Sequence, residues 1–136
     1  MESIITKIHQ VKGVREELAK MEQELRRGLL TDAKYIEQIY GIVQQECQET
    51  NNVAKRKVFI FLVIMFYSPD VLTGRKLHKG MRRELKKYIK DVQQCTISYY
   101  VNGLYLNYKI YKDFRNETQR LYGIIVERLG LFNQSK

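Results

Sequence analysis

One proline and eight glycines in 136 residues leave little to interrupt regular structure, which argues for long elements and against disorder. Cysteine is scarce too. Cys47 and Cys95 stand 48 positions apart, with no C-x-x-C spacing, so free, buried thiols are expected rather than a metal or redox pair. The longest apolar run, Val58 to Tyr67, has ten residues, half of the roughly 20 that a membrane-spanning helix needs. The opening MESIITKIHQ has neither the basic nor the apolar region of a signal peptide. A cytoplasmic, nucleoid-associated or phage-encoded protein is therefore expected, with no membrane partner. No GxxxxGK[ST], GxGxxG or HExxH occurs, and His9 and His78, the two histidines, lack ligand spacing. The basic half has few carboxylates for a Mg²⁺-dependent nuclease. Asp113 and Glu117 share a helix face, but Arg120 beside them makes a surface ion pair the simpler expectation. No enzyme and no cofactor are expected.

What the chain does have is positive charge, unevenly placed. The total is +9. Residues 1–54 hold seven Lys/Arg and nine Asp/Glu, a net of −2; residues 55–136 hold seventeen and six, a net of +11. The densest stretch, Arg75 to Lys90, carries eight cations (Arg75, Lys76, Lys79, Arg82, Arg83, Lys86, Lys87 and Lys90) against Glu84 alone. Such asymmetry favours a polyanionic partner for the second half. An anionic membrane surface fits less well, because the helix at 81–90 has a narrow apolar side, better used on a core.

Hydrophobic periodicity predicts an all-α chain. Ile4, Val11, Leu18 and Leu25 repeat every seven residues over 4–28, with Val14 and Met21 between them; Lys7 and Gly28 interrupt the seam. Thr31 and Asp32 are N-cap candidates for a second helix with Ile36, Ile39/Tyr40, Val43 and Cys47 inward. A third helix, from about Val53 to Tyr67, is apolar on every side from Val58 and belongs at the centre. Ser68-Pro69 ends it and starts a short turn. Gly74 and Gly80 bracket a basic loop. Further helices are expected at Met81–Lys90, at about Gln94–Tyr111 with Ile97, Val101, Leu104, Tyr108 and Tyr111 on one face, and at about Asp113–Leu129, capped by Gly130. The expected organisation is an N-terminal helical hairpin or coiled-coil-like arm at 1–52, followed by a compact basic helical domain at 53–136.

Residues 85–101 place Leu85, Ile89, Val92, Ile97 and Val101 as two apolar positions on one helix, one in a turn and two on the next. Over about residues 81–102 this resembles the helix-turn-helix of bacterial and phage regulators, and VQQCTISYYVN is similar to their turn and recognition helix. Asp91 stands where the pattern commonly has glycine, and Lys86 where it has a small residue. The resemblance implies double-stranded DNA as partner. Arg75, Lys76, Lys79, Arg82, Arg83, Lys86 and Lys87 would hold phosphates, and Gln93, Gln94, Thr96, Ser98, Tyr99 and Asn102 would meet base edges in the major groove. Of the tyrosines at 99, 100, 105, 108 and 111, Tyr99 is expected to face outward and the others to pack on the core. The N-terminal helices would dimerise or recruit a partner. The rival reading is a phage or other assembly protein whose basic face contacts nucleic acid, or an acidic neighbour, without reading sequence.

Overall fold

The computed structural model describes residues 1–49, 51–89 and 94–131, and over these the chain is all-helical with no strand. The elements are α1 (Glu2–Arg27), α2 (Lys34–Glu46), α3 (Asn52–Tyr67), a 3-10 turn (Pro69–Thr73), α4 (Lys79–Tyr88), α5 (Gln94–Ile110) and α6 (Lys112–Leu129). No helix among the described residues is long and apolar enough to cross a membrane.

The ten-residue apolar run is the axis of the core. Val58 to Ile64, Phe66 and Tyr67 are all buried in α3, which α2, α5, α6 and the 3-10 turn surround. A strand of that length would leave its backbone to be paired elsewhere, whereas a helix satisfies its own amides and carbonyls. Its first turn is capped by Asn51, whose Oδ1 accepts from the amides of Val53 (2.8 Å) and Ala54 (3.4 Å). Ser68-Pro69 ends it as the sequence predicts. Aromatic pairs fix its neighbours: Phe66 stacks on Tyr122 of α6 at 4.6 Å between centroids, and Phe61 on Tyr108 of α5 at 5.2 Å.

α2, which the sequence groups with α1, packs instead on α3 and α6, with Ile36, Ile39 and Val43 in the common core. Its N-cap position falls at Ala33; the Asp32 carboxylate accepts from the amide of Lys34 at 3.0 Å. α1 stands apart and packs on the 3-10 turn. Ile4, Val11, Val14, Leu18 and Met21 are all exposed. The link from α1 to α2 is sewn to the end of α3. The amides of Leu29 and Leu30 both donate to the Phe66 carbonyl (2.7 and 2.8 Å), and the Tyr67 hydroxyl donates to the Asp32 carbonyl at 2.6 Å. Gly28 lies at φ 61°, and a Cβ there would come within 2.5 Å of the Tyr67 carbonyl oxygen, so no side chain fits.

Candidate nucleic-acid interface

The basic stretch divides between two surfaces. Gly74, at φ 106°, turns the chain out of the 3-10 helix, and the buried Leu77 pins the following loop to the core. Arg75 and Lys76 of this loop, Arg82 of α4, and Ser98 and Asn102 of α5 then line one cleft of about 330 Å³, with Gly74, Leu77 and Val101 completing it. Ser98 and Asn102 share the cleft because residues four apart lie on one helix face. Three cations line the cleft, and among the described residues no carboxylate does.

Arg82 is the pivot. Its Nη1 donates to Ser98 Oγ at 3.5 Å, joining α4 to α5. Its Nε is buried with no hydrogen-bond partner among the described residues. A buried N–H with no acceptor is costly. Arg75 lies at the mouth, its guanidinium hydrogen-bonded to Glu22 of α1.

The second surface is the outer side of α4. Lys79, Arg83 and Lys87, spaced four apart, are all exposed. Lys87 Nζ lies 2.8 Å from Glu84 Oε1, a bond that pushes its pKa above the ordinary lysine value. Lys86 is half-buried, and its Nζ donates to the Ile89 carbonyl at 3.4 Å. His78, in the N-cap position of α4, is exposed.

On α5, Thr96 is half-buried and Tyr99 faces outward at 76% exposure, with Asn102 exposed one turn on. Gln93, the turn residues Asp91 and Val92, and the side chain of Gln94 lie outside the described residues. The other tyrosines split. Tyr100 and Tyr108 pack against the core, but Tyr105 and Tyr111 are exposed, contrary to expectation. Tyr111 lies beyond the last residue of α5, in the N-cap position of α6, so a count of 3.6 residues per turn no longer carries its direction. Leu106 and Ile110 are also exposed and continue the α5 face of Tyr99 and Asn102.

Three cations that the motif did not single out, Lys55, Arg56 and Lys57, open α3. Lys57 sits over the Tyr100 ring at 5.8 Å, and Lys55 and Arg56 share a depression with Tyr88 and Ile89 at the end of α4. Their signal in the sequence is a run of like charge in the first turns of a helix, where the macrodipole disfavours cations.

Glu117 is buried, not a surface carboxylate as expected. It accepts from Arg120 Nε and from the Gln48 amide, each at 2.7 Å, tying α6 to the end of α2. Cys47 is a free thiol whose pKa burial raises. Among the described residues no group of three or more His, Cys, Asp or Glu side chains is placed to hold a metal ion. No family model, no curated protein and no solved structure matches this chain.

Proposed function

We propose that the chain binds double-stranded DNA as a regulator of bacterial, phage or mobile-element type. One observation carries this reading: a cleft that combines Arg75, Lys76 and Arg82 with Ser98 and Asn102 and has no carboxylate in its described wall. A phosphate seated there would meet the cations Arg75, Lys76 and Arg82, and the neighbouring Tyr99 and Asn102 would stand at the base edges. Lys79, Arg83 and Lys87 would track the backbone alongside. The packing of α4 on α5, bridged by Arg82 and Ser98, is consistent with the helix-turn-helix reading of residues 81–102. The exposed face of α1 serves self-association.

Titration of labelled random-sequence duplex tests it. With six phosphates neutralised, affinity falls about 10³-fold between 50 and 200 mM salt. Selection from a random duplex pool then yields a consensus. Absence of binding at 50 mM salt sinks the proposal.

A second reading has its own support in the exposed Leu106 and Ile110, which add apolar surface to the face of Tyr99 and Asn102. They fit a protein neighbour in an assembly whose basic surface holds nucleic acid without reading it. Salt-dependent binding with no enriched sequence selects this reading.

A further inference from the structure

We propose that α1 is the seam of a homodimer in which two copies run antiparallel. Ile4, Val11, Leu18 and Leu25, with Val14 and Met21 between them, form a heptad stripe, all of it exposed on a helix that packs on the 3-10 turn at its C-terminal end. A 26-residue helix with that stripe and no cover of its own is built to pair.

Charge selects both the occupant and its direction. Residues 2–27 hold six Lys/Arg and five Glu, so of the +9 on the chain, +8 resides in the body beyond α1. A parallel pair would set two such bodies side by side at one end of the seam. It would also place Lys7 against Lys7 at a seam position. The antiparallel pair removes both conflicts. Val11 then meets Met21 of the second copy, and Val14 meets its Leu18. Lys7 falls opposite Leu25, where its ammonium reaches Glu24 of the second copy. Residues 7–15, with Lys7, Lys12 and Arg15 and no acid, lie along residues 17–25 of the other helix, where Glu17, Glu22 and Glu24 outnumber Lys20, although Glu22 is shared with Arg75. An acidic foreign helix would match the first stretch and repel the second, so a second copy of this chain is the partner that fits both.

In this register the two Gly28 junctions lie 24 residues apart along the seam, about 36 Å at 1.5 Å per residue. That is several times the screening length of about 8 Å at physiological salt. It also equals the 34–36 Å between successive half-sites on one face of DNA. This last correspondence rests on the DNA reading; the dimer does not.

The test therefore omits DNA. Sedimentation equilibrium of the full chain should show a dimer. Zero-length carboxylate–amine cross-linking of mixed ¹⁴N and ¹⁵N protein should give Lys7–Glu24 as the principal link between copies. Leu18→Asp, at a position exposed in the single chain, should raise the dimer Kd by roughly 100-fold while the circular dichroism of the body persists. Leu18→Met should leave Kd within about threefold of the original, since the swap conserves volume. A monomer at 100 µM, or inter-copy links of Lys20 to Glu17 or Glu24 without Lys7–Glu24, overturns the proposal. Loss of DNA binding with the cross-link intact overturns the DNA reading alone.

Discussion

Glu22 of α1 hydrogen-bonds the guanidinium of Arg75, 53 residues further along the chain, at the mouth of the basic cleft. The same carboxylate oxygen lies 3.6 Å from Arg26 Nη2 on its own helix. The last turns of the arm thus neutralise one of the three cations that face the cleft. Anything that draws Arg75 inward competes with the arm for it.

Glu22→Gln should therefore free Arg75. Both partners are partly solvated, so the gain is small: about threefold tighter binding to duplex DNA at 50 mM salt, shrinking towards none at 200 mM. Fluorescence anisotropy at the two salt concentrations reads it. Unchanged or weaker binding at 50 mM would show that Arg75 does not serve the anion.

Arg82→Met separates function from stability. The substitution retains an apolar stem while removing a buried N–H that lacks a partner. Affinity for DNA should fall about tenfold and the salt slope should lose about one unit. The melting temperature should hold or rise, because the unsatisfied donor disappears. A lower melting temperature with unchanged DNA affinity would assign Arg82 to the fold alone, through its bond to Ser98.

Lys79→Ala with Arg83→Ala should weaken binding to every sequence alike, since both lie exposed on the outer face of α4. Asn102→Ala should instead change the order of preference among sequences, with a discrimination of about 1–3 kcal/mol lost at one base pair. Competition against a panel of single-base variants decides between these effects. If the Lys79/Arg83 pair changes preference and Asn102 does not, the roles of the two helices are reversed.

Much of the fold could be read along the chain, because periodicity states which face of a helix is apolar. Leu85 and Ile89, Ile97 and Val101, and the whole of Val58 to Ile64 are buried where counting puts them. Ser68-Pro69 and Gly130 stop helices for local backbone reasons that any neighbour would leave intact. Periodicity does not say which element covers a face. It could not show that α2 joins the core while α1 stands out from it, nor that Leu106 and Ile110 are left uncovered. The site divides in the same way. The cations and the polar residues of α5 are visible as composition. The convergence of Arg75, Lys76 and Arg82 on Ser98 and Asn102, and the diversion of Lys79, Arg83 and Lys87 to another surface, depend on how the loop after Gly74 is pinned by Leu77.

Acid stability should depend on Glu117. Burial alone would raise its pKa, but the hydrogen bonds from Arg120 and the Gln48 amide outweigh burial and hold it below the ordinary value of 4.5. A carboxyl with a lowered folded pKa stabilises the fold fully above its unfolded pKa. That contribution is lost as pH falls through the folded one. Glu117→Gln should lower stability at pH 7 by about 1–2 kcal/mol, and the difference from the original chain should close towards pH 3. Urea denaturation across that range measures it; a gap that widens on acidification would contradict the assignment.

The Phe66 carbonyl receives two amides at once, from Leu29 and Leu30. The bearing of the N-terminal helix is thereby set in part by main-chain atoms, which substitution away from Gly28 leaves in place. Substitution at outward positions of that helix would change the companion it suits while leaving these two junction bonds in place. The junction works as a fixed socket for an interchangeable tool.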